Sequence, residues 1–208
     1  MIELFTSALV TFLVIIDPPG CAPIFASLTR GTPAAHRRMM AIRSSTIAWA
    51  ILMFFALLGR PMLDTLGISL ASFRIAGGIM LFMIALDMVF ERRTQRREER
   101  AQSIEGTPQA DDISVFPMAI PMIAGPGSIA SAMLWVSRAE GAQVLVVLAA
   151  ITVVILLTLV ALLAAGPLMR LIGDRMEAMI TRILGVILAA LAAQFIVDGL
   201  RESFPVLA

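Results

Sequence analysis

The sequence predicts an all-α integral membrane protein: six transmembrane helices, arranged as two inverted three-helix repeats, with the first helix of each repeat broken. Three observations carry that expectation. Of 208 residues, 59% are hydrophobic, above the 45–50% usual in soluble domains, and the mean hydropathy is +0.93. At roughly 20 apolar residues per crossing, about 120 such residues supply six spans. The apolar residues fall into six stretches divided by polar turns, and three short patterns recur in the two halves of the chain in the same order.

The first stretch covers residues 4–16 and runs into Asp17-Pro18-Pro19-Gly20, after which apolar character resumes over 21–28. With no basic n-region before it and no small-residue cleavage site after it, this reads as an uncleaved span with a break near its middle. Residues 39–58 and 70–90 come next as the second and third spans, joined by a turn carrying Gly59-Arg60-Pro61 and Gly67. Residues 91–112 lack apolar periodicity and hold five arginines and six acids, which marks a solvated linker. Beyond it come 113–136, interrupted at Gly125-Pro126-Gly127, then 144–165, then 180 to about 200. Residues 166–179 carry Arg170, Asp174, Arg175 and Glu177 among apolar neighbours and read as an interfacial connection. The chain therefore divides into a first three-span unit (1–90), a polar linker (91–112) and a second three-span unit (113–208).

Loop arginines set the orientation. Arg30, Arg37, Arg38, Arg43, the five linker arginines, Arg170, Arg175 and Arg182 fall on one side, against Arg60, Arg74, Arg138 and Arg201 on the other. The positive-inside rule then places the linker in the cytoplasm and both termini outside.

The recurring patterns share an offset of 106 to 108 residues. Pro19-Gly20-Cys21 matches Pro126-Gly127-Ser128; Pro61 with Leu66-Gly67 matches Pro167 with Ile172-Gly173; Arg74-Ile75, Gly77 and Ile79 match Arg182-Ile183, Gly185 and Ile187. With three spans per half, the second half enters the membrane in the opposite sense. Broken spans at corresponding positions of inverted repeats point to a midplane substrate site. Here the breaks are expected at 17–23 and 121–128, facing each other, with Pro19, Gly20, Cys21, Gly125, Pro126, Gly127 and Ser128 as site residues. Proline removes a ladder donor and glycine allows unusual backbone geometry. The freed groups are intolerable against lipid and must be buried in protein or line a watery cavity. The half-helix after each break points a partly positive N-terminus inward, suited to the carboxylate of a zwitterion.

Asp17, an acid at membrane depth, needs a partner or a proton. One reading gives it a substrate ammonium, a sodium ion or a coupled proton; a compatible one makes it an N-cap, with Pro18 in the first helical position and the Gly20 N–H donating to its carboxylate. Ser128 and its counterpart Cys21 either contact a ligand or allow close packing. Arg74 and Arg182 either snorkel to the interface or pair with acids as coupling residues. Asp87 and Asp198 read as interfacial. Gln194, an amide within an apolar span, is a candidate for hydrogen bonding across helices and for substrate binding.

Composition also excludes. Sixteen basic residues, all arginine, against 15 acids give no basic excess for nucleic acid. One cysteine and one histidine supply neither an internal disulfide nor a usual zinc site, and no cofactor is expected. A chain without lysine has no Walker motif, so a gradient must do the work. An intramembrane hydrolase built on Ser128 or Cys21 would find no histidine or lysine base in any span. The alternative reading that stays open is a membrane scaffold or partner subunit without transport of its own, which would not need paired breaks. The expected partners are a small neutral solute, H+ or Na+, the bilayer and, as a further possibility, a second copy of the chain.

These residues also form a pattern. Asp17-Pro18-Pro19-Gly20 continuing to Pro23-Ile24-Phe25, Phe73-Arg74-Ile75-Ala76-Gly77-Gly78-Ile79, Ala85-Leu86-Asp87-Met88, Pro117, Ile120-Pro121, Ala124-Gly125-Pro126-Gly127-Ser128, Thr181-Arg182-Ile183-Leu184-Gly185 and Ala193-Gln194-Phe195-Ile196-Val197-Asp198-Gly199 resemble the MarC family over essentially the whole chain. The resemblance implies a six-span bacterial inner-membrane protein, of a group classed with neutral amino acid transporters. That family's usual Asp-Pro-Leu-Gly-Asn reads here Asp17-Pro18-Pro19-Gly20-Cys21, so any substrate choice made by the asparagine would differ in this chain.

Overall fold

The computed structural model describes residues 1–90 and 112–204, and of 167–178 the backbone alone. Every regular element among them is helical. The first half comprises α1 (Ile2–Ile16), α2 (Pro18–Leu28), α3 (Ala34–Thr65) and α4 (Leu70–Val89). The second comprises a wide, π-helical segment α5 (Ser114–Ile123), then α6 (Pro126–Ser137), α7 (Ala142–Leu163) and α8 (Ala165–Ser203). Five helices are long and apolar enough to cross a membrane, with α1 and α2 taken as one. The pair α5 and α6, bent by 54°, makes a sixth.

Two boundaries differ from the sequence expectation. The turn anticipated over Gly59-Arg60-Pro61 and Gly67 is confined to its second half, because α3 runs through Gly59, Arg60 and Pro61 to Thr65. A proline forfeits one ladder bond, whereas the effective stop signal lies at Gly67. There the backbone takes φ 67°, and Ile68 N–H donates to the Leu63 carbonyl at 2.9 Å, closing the helix with a Schellman-type bond that a side chain at Gly67 would disfavour. Secondly, 166–178 is helical and continuous with the closing span in α8. Of the linker, 91–111 lies outside the described residues. Its last residue, Asp112, pairs with Arg43 at 2.6 Å and accepts the Ser114 N–H at 3.0 Å. Ser114, and then Arg43, hold that carboxyl below its ordinary value of 3.8. The group therefore stays charged, and the link from α3 to α5 persists, until the pH falls below the usual carboxylate range.

The packing is reciprocal between halves. The broken helix α1–α2 packs on α7 and α8, while α5 packs on α3, and α6 on α3 and α4. The broken helices also touch each other, α1 against α6 and α2 against α5. Of the most apolar 18 residues in Ile2–Leu28, 72% are buried, against 28–33% in α3, α4, α7 and the closing part of α8. The broken helix is thus a central element, and the unbroken ones turn large apolar side chains such as Phe54, Leu57, Phe82, Leu145, Leu156, Val160 and Val186 outward. Lipid is the solvent that accepts such a surface.

The third spans, α4 and the last part of α8, run antiparallel in the most extensive helix pair of the fold. Their backbones approach at glycines. A Cβ placed on Gly78 would lie 2.9 Å from the Ala192 carbonyl oxygen, one on Gly199 2.9 Å from that of Ala71, and one on Gly185 3.1 Å from that of Ala85. Because lipid tails are as apolar as leucine, close backbone contact of this kind replaces the hydrophobic drive available in water. Gly78→Ala and Gly199→Ala should each destabilise the detergent-solubilised protein by about 1–3 kcal/mol through overpacking. Gly166→Ala, whose methyl meets nothing within 4 Å, should not. Equal thermal midpoints for all three variants would show that α4 and α8 have room to yield.

Candidate functional site

The first break is a single residue. Asp17 adopts φ 57° and ψ 68°, the left-handed region that aspartate tolerates better than most residues. It both ends α1 and starts α2. Its N–H donates to the Leu13 carbonyl at 3.0 Å, its own carbonyl accepts the Cys21 N–H at 3.0 Å, and its carboxylate accepts the Gly20 N–H at 3.2 Å. Pro18 and Pro19 bring no N–H of their own. The N-cap role expected of Asp17 is therefore realised, and the donors opening α2 are taken up locally. At 1% exposure, Asp17 is the one buried acid among the described residues.

The second break is wider. Phe116 and Ile120, each followed by proline, are extended within α5, as steric pressure on a residue preceding proline dictates. The chain then turns at Ala124 and Gly125 into α6. A Cβ on Gly125 would fall 2.5 Å from the Pro121 carbonyl oxygen, so this bend needs glycine. No side chain caps α6, and among the described residues nothing accepts the N–H of Gly127 or Ser128. Both residues are buried, so two donors at a helix N-terminus stand unanswered inside the protein.

The two breaks meet. A Cβ on Gly127 would lie 3.6 Å from Ile15 Cγ2, next to the Asp17 turn, and 2.5 Å from Ile84 Cδ1 of α4. They also share one detail at the repeat offset: Cys21 Sγ donates to the Ile16 carbonyl at 3.4 Å and Ser128 Oγ to the Ile123 carbonyl at 2.9 Å, each reaching back five residues. Both side chains satisfy an oxygen beside the interruption in the helical ladder, a role beyond close packing.

Of the other expected site residues, Gly20 is buried, Pro19 half-buried and Pro126 exposed. Gln194, expected in the interior, is exposed on α8 and donates to Asp198 at 2.7 Å. Arg74 pairs with Glu202, and Arg182 is exposed on α8.

One cluster lay beyond sequence reasoning. Arg138, directly after α6, pairs with Asp198 at 2.5 Å and lies 4.7 Å from the ring centre of Phe195, which in turn meets Trp135 edge to face at 6.4 Å. With Arg74 and Glu202 nearby, these residues join the ends of α4, α6 and α8. Burial lowers the pKa of the Arg138 guanidinium against the opposing pull of Asp198, and the group stays cationic at physiological pH. The signal in the sequence was an arginine following an apolar helix and acids near the end of another, 60 residues apart, with nothing to say that they meet.

The class these features define is a polytopic integral membrane protein built around two central broken helices. The family model described as MarC family integral membrane protein matches residues 2–204, and the chain belongs to that family. It is 39% identical over 202 residues to UPF0056 membrane protein MJ1677 of Methanocaldococcus jannaschii, covering 96% of this chain and 97% of the relative. It is 31% identical to UPF0056 membrane protein YvbG of Bacillus subtilis, over 100% and 99% of the two chains. It is 32% identical to UPF0056 inner membrane protein YhgN of Escherichia coli, over 94% and 95%. No solved structure matches the chain.

If the shared hydrogen bond is structural, Cys21→Ser and Ser128→Cys should keep near-native stability in detergent. Ser128→Ala should lose about 1–3 kcal/mol, the cost of an unanswered buried carbonyl. A Ser128→Ala variant as stable as Ser128→Cys would remove that role.

Proposed function

We propose that the protein is a secondary transporter of a small neutral, amino-acid-like solute, carried between two broken helices of inverted repeats. The observation that supports this best is the complementary chemistry of the touching breaks. One holds the buried carboxylate of Asp17, and the other holds the unanswered N–H groups of Gly127 and Ser128. A zwitterion presents an ammonium to the first and a carboxylate to the second. Helix N-termini bind carboxylates without a basic side chain, and a buried acid is suited to couple a proton or sodium ion to the solute.

The inverted arrangement draws support from the reciprocal packing of the halves, the antiparallel α4–α8 pair and the matched bonds of Cys21 and Ser128. The loop arginines favour a cytoplasmic linker and outer termini, and the name of YhgN, an inner membrane protein, favours the inner membrane as the location. On this reading the protein is a carrier rather than an enzyme and takes no cofactor.

The test is flux of labelled small neutral amino acids into proteoliposomes under imposed proton and sodium gradients. Gradient-driven uptake of a solute should be lost in Asp17→Asn while the variant still inserts and folds. Background flux of every solute under every gradient, in both directions, would overturn the reading. Uptake that Asp17→Asn leaves intact would remove Asp17 from coupling.

A further inference from the structure

At the other end of the molecule from the Arg138 cluster, α2, α3 and α7 terminate around a cavity of about 380 Å³, within the range of small-ligand clefts. Among the described residues it is lined by Arg37 and Arg38 of the first turns of α3, by Ala34 and Ala35, by Phe25 of α2, and by Leu162 and Leu163 at the end of α7. Its two surfaces are chemically opposed. Phe25 and Leu162 are buried behind it, Leu163 is 43% exposed, and α7 carries no charged residue from Ala142 to Leu163, so one wall is apolar and opens to the hydrocarbon layer at Leu163. The other wall is two exposed guanidinium side chains, and neither Arg37 nor Arg38 forms an ion pair among the described residues.

We propose that this cavity binds an anionic phospholipid, the phosphate held by Arg37 and Arg38 and the start of an acyl chain lying along Leu163. A guanidinium fork matches phosphate oxygens bidentately, and two adjacent arginines at an interface favour an anion. The apolar wall selects an anion with a hydrocarbon tail over a free one. The volume accommodates a headgroup and the first carbons, leaving the rest of the lipid in the bilayer. Basic pockets between membrane helices on the arginine-rich side are the setting in which anionic headgroups are bound. The inference is independent of transport and holds whether or not the breaks carry a solute.

The test is native mass spectrometry of the full chain released from nanodiscs of equal phosphatidylglycerol and phosphatidylethanolamine. The wild type should retain phosphatidylglycerol preferentially. Arg37→Ala and Arg38→Ala should each weaken that preference about fivefold and the double variant about 25-fold, at about 1 kcal/mol per arginine. Arg30→Ala, an exposed arginine that does not line the cavity, should leave it unchanged. Leu163→Ser should weaken retention without altering the response to the arginine substitutions. An unchanged preference in the double variant, or an equal loss in Arg30→Ala, would overturn the site in favour of general surface charge. Displacement of the lipid by inorganic phosphate at matching concentration would show that the hydrocarbon wall contributes nothing, and would overturn the lipid as occupant.

Discussion

A backbone amide in hydrocarbon has no water to turn to, and an unanswered one costs several kcal/mol. This constraint governs the rest of the structure. Two of the six spans are interrupted, and each interruption releases groups that the helical ladder would have paired. The chain meets the cost by placement and by local substitution. The broken helices occupy the centre, with the unbroken helices around them taking the lipid contact. Within the breaks, Asp17 supplies both a carbonyl and a carboxylate to the start of α2, while Cys21 and Ser128 answer the carbonyls of Ile16 and Ile123.

The two solutions are unequal, and the inequality comes from composition. The first break has an aspartate before its Pro-Pro-Gly, so cap and helix start coincide in one residue. At the corresponding position of the second half stands Ala124, which has nothing to offer as a cap. Pro117 and Pro121 widen the approach instead, and the donors of Gly127 and Ser128 find no acceptor among the described residues. One half therefore carries a carboxyl group that caps its own helix, and the other a pair of N–H groups with no acceptor among the described residues.

Much of the fold is legible in the sequence because proline, glycine and apolar length act locally. Asp17-Pro18-Pro19-Gly20 and Gly125-Pro126-Gly127 mark the breaks whatever surrounds them, and the six apolar runs recur as helices. Other features depend on partners across the fold or further along the chain. Pro61 alone does not end a helix, and α3 finds its stop only at Gly67. Gln194 looks interior because its neighbours are apolar, yet apolar neighbours in a membrane helix mark lipid as readily as protein, and the amide sits exposed beside Asp198. The pairing of Arg138 with Asp198, and the glycine contacts of α4 with α8, join residues that only the packed bundle brings within reach.

The arginines show how position converts one residue type into two roles. Arg74 and Arg138, held against the bundle, each have an acid from the last turns of α8, and Arg138 also has the face of Phe195. Such partners lower the cost of keeping a cation partly out of water, and they draw the ends of α4, α6 and α8 together. Arg37 and Arg38 lie at the start of α3, where the helix leaves the apolar layer and solvent reaches the guanidinium groups. Hydration makes an internal acid unnecessary there, and their charge remains directed outward. An arginine paired inside the fold serves cohesion; one exposed beside an apolar wall is available to whatever anion the membrane surface carries.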